Sequence, residues 1–294
     1  MIKDGIHNKI SPSDYHAWEF ERSKGPISTS VLKKYVELGP ERFISTPKFK
    51  PTPAMTWGSL VDLLLFTPEE FDKEFVLITD CKHRSKNGAI LSKAAKEWRD
   101  GVLAEGRRII KPDDLGSALE AVKKLSSTPA SARLLEGSQY QTGLVFTSEH
   151  GVPAKGLVDC LPDGGDCIVD LKTTGANLHN DSELERQVGK FHYHVQAAFY
   201  LFLWSKLSDE PRRDWKILWQ SSSAPFEVRV DKLDNLALDA GMEFVRYHVP
   251  RIVRDIKTDT WKSPFAEGET TLLMHSPTVF ADEAQMERLT EVES

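Results

Sequence analysis

Three cysteines in 294 residues are too few for a disulfide framework, and Cys81, Cys160 and Cys167 fall short of the thiolate set that holds an iron–sulfur cluster. Cys160 and Cys167 flank the turn PDGGD and could approach across a hairpin, but in a cytosolic chain a reduced pair packed in strands is expected. No apolar run approaches the roughly 20 residues that span a bilayer. The start, MIKDGIHNKISPSDYHAWEF, lacks the basic head and continuous apolar centre of a secretory signal, so a cytoplasmic protein without membrane attachment is expected. Neither GxxxxGK nor GxGxxG occurs, which removes support for a small-molecule enzyme with a phosphate loop. Internal repeats and low-complexity segments are also missing. Nor is positive charge in excess: 38 Lys and Arg stand against 44 Asp and Glu, a formal net charge of −6.

Hydrophobic residues at 40% and charged residues at 28% fit one large domain or two ordinary ones. The negative balance is a weak guide to partners, because the distribution of charge matters more than its sum. Between Lys82 and Lys111 nine Lys or Arg stand against three Asp or Glu, which by itself reads as a solvated helix face. The end from Asp282, DEAQMERLTEVES, is acidic.

The first third reads helical. ISTSVLKKYVELGPERF offers Ser28 or Ser30 as an N-cap and stops at Gly39-Pro40, while Met55 to Phe66 carries apolar residues at helical spacing before Thr67-Pro68. PEEFDKEF begins another helix, and residues 92–105, 112–126 and 129–136 give three more. Then LVFTSE, AKGLVDCLP and CIVDLKTT follow, broken at His150-Gly151 and Asp163-Gly164-Gly165, the pattern of consecutive antiparallel strands. A polar loop, GANLHNDSELERQVG, precedes a helix from about Phe191 to Leu207; the strands WKILWQSS and FEVRVD and a helix from about Lys232 to Asp259 complete the pass. The expected fold is α/β, a central mixed β-sheet flanked by helices. Residues 1–137 form its helical N-terminal region, 138–265 the core and 266–294 an acidic tail, with one compact domain expected overall.

The strands carry the chemistry. Alternation in CIVDLKTT places Ile168, Asp170 and Lys172 on one face and Val169 and Leu171 on the other. A hairpin closed at Asp163-Gly164-Gly165 brings Asp159 beside Asp170, and two close carboxylates repel unless a proton or cation lies between them. Hard oxygen donors without thiolate or imidazole suit Mg²⁺ or Mn²⁺. Lys172 beside them could orient or deprotonate a water, or steady charge on a phosphate. A surface ion pair between Asp170 and Lys172, with Asp159 merely before a turn, would use the same residues. In the following helix Gln196 and Tyr200 stand four apart on one face, with His192 a turn earlier on that stripe, and Val195, Ala198, Phe199 and Phe202 supply the apolar side.

The series WGSLVD, GLVD, VDLK and QAAFY resembles the PD-(D/E)xK nuclease superfamily, in its RecB-like branch with a QxxxY helix. With ISTSVLKKY, WGSLVDLLLFTPEEFDKEF, SKAAKEWRDGVLAEGRRIIKPDD and YHVQAAFYL, the chain is most similar to the exodeoxyribonuclease VIII (RecE-type) nuclease domain of phages and prophages, over about residues 26–262. That resemblance implies a restriction-endonuclease-like core and a Mg²⁺-dependent exonuclease, with Mn²⁺ as a substitute and two ions expected, acting on linear duplex DNA from its 5′ end. It also implies a ring-shaped homo-oligomer working with a single-strand-annealing recombinase. Asp159, Asp170 and the backbone carbonyl of Leu171 would bind metal, Lys172 would be the catalytic lysine, and Gln196 and Tyr200 would line the site. The family's GxxxH motif ends here in Asp62, a carboxylate that could still bind metal, and its basic residue before the first aspartate is replaced by Leu157 with Lys155 nearby. Arg84, Lys86, Lys93, Lys96, Arg99, Arg107, Arg108, Lys155 and His192 would then contact DNA phosphates. Trp98 stacks on a base or packs in the core, and His194 is expected to be an ordinary hydrogen-bonded histidine. An endonuclease of the same core, or a non-catalytic recombination accessory protein, is the alternative.

Overall fold

The computed structural model describes residues 2–265 apart from 9, 11, 48–50, 86, 87 and 264. The acidic tail and Lys86 therefore lie outside the described residues. Residues Met1–Trp261 form one compact unit.

A short strand β1 (Gly5–His7) and helix α1 (Pro12–Ala17) precede α2 (Thr29–Leu38), α3 (Pro40–Ser45), α4 (Pro53–Phe66) and α5 (Phe71–Glu74). Strand β2 (Phe75–Leu77), α6 (Lys93–Ala104), β3 (Arg108–Ile110), α7 (Pro112–Ser127) and α8 (Pro129–Leu135) follow. The rest runs β4 (Gln139–Thr147), β5 (Pro153–Leu161), β6 (Cys167–Thr174), α9 (Asp181–Lys190), α10 (Tyr193–Leu207), β7 (Asp214–Ser221), β8 (Val228–Lys232) and α11 (Asn235–Thr258). The helix starts obey local chemistry. Ser28 Oγ accepts the Val31 N–H at 3.3 Å to open α2, and Thr52 Oγ1 does the same for Met55 ahead of Pro53 in α4.

Six strands form one sheet in the order β1-β4-β5-β6-β7-β8. β4, β5 and β6 are successive antiparallel neighbours, whereas β6 and β7 run parallel. The parallel pair needs a crossover, and α9 and α10 provide it. Both faces of the centre are covered. Ile168 packs with Trp215, Ile217, Val195 and Phe199 on one side; Val169 and Leu171 pack with Leu60, Val61 and Leu125 on the other. The alternation expected for CIVDLKTT is therefore observed.

Two features differ from expectation. The stretch read as a polar loop contains α9, capped by Asn180; Leu184 and Val188 are its main apolar residues, too few to show a helical stripe. Arg108 was expected to contact DNA phosphates, and no strand was expected around it, but β3 pairs in parallel with β2 in a separate two-stranded sheet. There Arg108 is ion-paired with Glu74 and lies 4.2 Å from the Phe75 ring centroid.

Candidate active site

Four elements meet around β6. Helix α4 approaches it through Gly58, where a Cβ would stand 2.6 Å from Thr173 Oγ1. One turn later Asp62 faces the strands. β5 and β6 keep only Cys160 opposite Val169 as a ladder pair. Beside that pair, Asp159 Oδ2 accepts the Leu171 N–H at 2.9 Å, so a carboxylate replaces a strand carbonyl. Asp170 is 2% exposed. Its Oδ1 accepts from Gln196 Nε2 at 2.7 Å, and its Oδ2 lies 2.5 Å from Lys172 Nζ without hydrogen-bond geometry that would satisfy it.

Helix α10 holds both strands. Gln196 orients Asp170 on β6, while the buried Tyr200 hydroxyl accepts the Leu157 N–H of β5 at 3.3 Å. Tyr200 thus positions the strand that carries Asp159 rather than reaching past it to a phosphate. Its ring lies against Gly156, where a Cβ would come within 2.9 Å. Gly156→Ala should therefore cost about 1–3 kcal/mol of stability, measured as a lower urea midpoint; an unchanged midpoint would show that the ring moves aside freely.

The electrostatics follow from burial. Asp62 is pushed up to about 7 by burial, with Asp170 and Glu74 adding to the shift and Lys172 opposing it. Asp159 is raised well above the carboxylate range by burial and then by Asp170 and Asp62. Burial works against the charge of Lys172, but Asp170 and Asp159 outweigh it and raise its pKa. Lys172 is therefore an ammonium at neutral pH, suited to steady negative charge rather than to remove a proton.

Among the described residues no three His, Cys, Asp or Glu side chains converge as a metal cage. Asp62 was expected to take a metal in the histidine's place; its Oδ1 accepts from Gln141 Nε2 at 3.1 Å, as one oxygen of Asp159 accepts from Leu171 and one of Asp170 from Gln196. The candidate donors are Asp159, Asp170 and the Leu171 carbonyl, with Asp62 beside them. Two buried carboxylates, one with an oxygen that meets only the Lys172 ammonium, fit a Mg²⁺-type ion, which binds few protein oxygens and retains waters.

Other expected contacts are placed elsewhere. Lys155 is 6% exposed; its ammonium donates to Tyr15 O and Trp18 O, each at 2.6 Å. It closes the end of α1 and is not free for a phosphate. His192 has φ 53 and precedes the first turn of α10, so the left-handed backbone takes it off the Gln196 stripe. Its ring packs against Phe244 and His194, and Tyr193 takes the place beside Lys172. His194 Nδ1 stands 3.4 Å from Val188 O. Arg107 pairs with Glu105 at 2.5 Å, Arg99 with Asp100 at 2.7 Å, and Lys93 with Glu97 at 3.8 Å. Arg84, Lys93 and Lys96 are exposed, and Trp98 is half-buried in α6.

Four residues escaped sequence reasoning. Gln141 is buried, has φ 49 and anchors Asp62, a non-glycine backbone strain of the kind concentrated at functional sites. Tyr193 stands beside Lys172, and Lys33 lies against the same Tyr193 ring. Gly156 admits Tyr200; its position before Val158-Asp159 was a signal that could have been used.

The family described as "PDDEXK-like domain of unknown function (DUF3799)" matches residues 30–268. No curated protein sequence matches the chain. Among solved structures, a Eubacterium rectale protein described as a "Putative exonuclease" aligns with TM-score 0.58 and 14% identity, over 93% of this chain and 97% of that one. A structure described as that of SSO0001 aligns with TM-score 0.30 and 12% identity, over 74% of this chain and 91% of that one, too low to establish a common fold. The six-stranded mixed sheet, the aspartate pair with its lysine, and the family match over residues 30–268 make this chain a member of the DUF3799 family of PDDEXK-like domains, built on a restriction-endonuclease-like core.

Proposed function

We propose that this chain is a Mg²⁺-dependent exodeoxyribonuclease that hydrolyses linear double-stranded DNA from 5′ to 3′ and leaves 3′ single strands for recombination. The observation that carries the reading is the buried set Asp159, Asp170 and Lys172, with Gln196 fixed on Asp170 at 2.7 Å and Lys172 Nζ 2.5 Å from the same carboxylate. A lone surface ion pair would need neither that burial nor a second carboxylate bonded to Leu171. Asp159, Asp170 and the Leu171 carbonyl would hold Mg²⁺, with Mn²⁺ as a substitute. When bound, the ion supplies the Lewis acidity that phosphodiester hydrolysis requires near neutral pH. Lys172 keeps its proton and presents positive charge to the phosphate oxygens as the bond to the leaving oxygen breaks. Gln196 and Tyr200 hold the strands that carry these groups. The exposed Arg84, Lys93 and Lys96 would contact the backbone without reading sequence.

The 5′ polarity, a ring-shaped homo-oligomer and a single-strand-annealing recombinase as partner rest on the likeness to exodeoxyribonuclease VIII. The test is incubation with linear and covalently closed duplex DNA, in Mg²⁺ and in chelator. Degradation of linear DNA alone, abolished by chelator, is expected, with strand-specific end labels reading polarity. Nicking of closed circles would replace the proposal by an endonuclease, and inertness towards both by an accessory protein.

A further inference from the structure

Several lysines of this chain have an oxygen to hold. Lys155 has two carbonyls, Lys232 has Asp214 at 2.7 Å, and Lys172 has Asp170 at 2.5 Å. Lys33 differs. It projects from α2, whose Leu32 and Tyr35 are buried and fix the turn of the helix. It is itself half-buried. Among the described residues it makes no hydrogen bond or ion pair; its Nζ lies 5.7 Å from the centroid of the Tyr193 ring. Lys172 Nζ lies 4.9 Å from the centroid of that same ring. Burial and then Lys172 push Lys33 down to about 8, with Asp170 acting the other way. Two ammonium groups thus share one aromatic ring beside the aspartate pair, and one of them lacks a counter-anion. Half-burying an unpaired cation is costly unless an anion joins it.

We propose that Lys33 and Lys172, both held against the Tyr193 ring, form a clamp for one phosphate group of the DNA strand. This rests on the nuclease reading and adds to it a phosphate-binding residue from the helical N-terminal region. The phosphate is either a chain-terminal group or a phosphodiester.

The experiment measures binding of the full chain to duplex hairpins with one open end, carrying a 5′-phosphate or a 5′-hydroxyl, by fluorescence anisotropy in EDTA over a range of salt. Wild type, Lys33→Ala and Lys33→Arg are compared, with a melting temperature for each. Lys33→Ala is expected to weaken binding by at least about fivefold and to reduce the salt slope by about one, with no loss of melting temperature. Lys33→Arg should restore most of the affinity. Loss confined to the phosphorylated end identifies a terminal phosphate; equal loss with both ends identifies a phosphodiester. Affinity within twofold of wild type and an unchanged salt slope would overturn the clamp, as would a binding loss accompanied by a matching fall in melting temperature. Because binding is read without metal, wild-type chain that binds but never cleaves in Mg²⁺ sinks the nuclease reading, while the salt slope still decides the clamp.

Discussion

Lys172→Ala should lower cleavage of linear duplex DNA by about 1,000-fold while leaving divalent-ion affinity intact or higher. The ammonium now competes with any cation for Asp170 and opposes the raised pKa of Asp62 and Asp159. Removing it leaves the acidic cluster more negative, so an ion is held no less tightly. What is lost is the charge that faces the phosphate. The variant also predicts a pH signature in chelator. Without Lys172, Asp62 rises above about 7 and Asp159 rises further. A carboxyl whose folded pKa is raised contributes stability that is full below its unfolded value, near 4, and is lost as pH rises through the folded value. The melting temperature of the metal-free variant should therefore approach wild type in acid and fall progressively behind it towards pH 8. Cleavage within tenfold of wild type, with unchanged Mg²⁺ affinity by calorimetry, would show that Lys172 has only a structural part.

Asp170→Ala should cost both activity and fold. The side chain is 2% exposed and holds Lys172 and Gln196 together. Removing one partner of a buried ion pair leaves the other charge uncompensated, at about 3–5 kcal/mol, although Lys172 can partly re-pair with Asp159. Asp170→Asn keeps an acceptor for Gln196 and loses the charge, so it should unfold at higher urea than Asp170→Ala while cleaving no better. The contrast separates the two parts of Asp170, since stability follows the hydrogen bond to Gln196 and cleavage follows the carboxylate. An alanine variant with wild-type midpoint and metal-dependent cleavage would refute both.

The aspartates and the lysine were legible because their spacing is local. A period of two residues places Asp170 and Lys172 on one face of β6 whatever else the chain does, and the turn at Asp163-Gly164-Gly165 returns β5 to its neighbour. The four-residue step from Gln196 to Tyr200 likewise survives in α10 because it lies inside the helix. His192 fails the same rule at the boundary, where one residue with φ 53 rotates the chain out of the helical repeat.

Local geometry alone specifies the alternation of β6, the helical step of α10, the boundaries of most elements and the pairing of Asp170 with Lys172 on one strand face, because each depends on bond geometry over a few residues. What stands across from them is set by long-range packing. It brought Gln141 to Asp62 over a separation of 79 residues and buried Lys155 against carbonyls about 140 residues away. It tied Arg108 to Glu74 and set Lys33 beside the ring that Lys172 also faces. A cation's sign can be read from its residue type. Whether it meets a carboxylate, a carbonyl or an aromatic ring depends on which distant element the packing of the core places next to it.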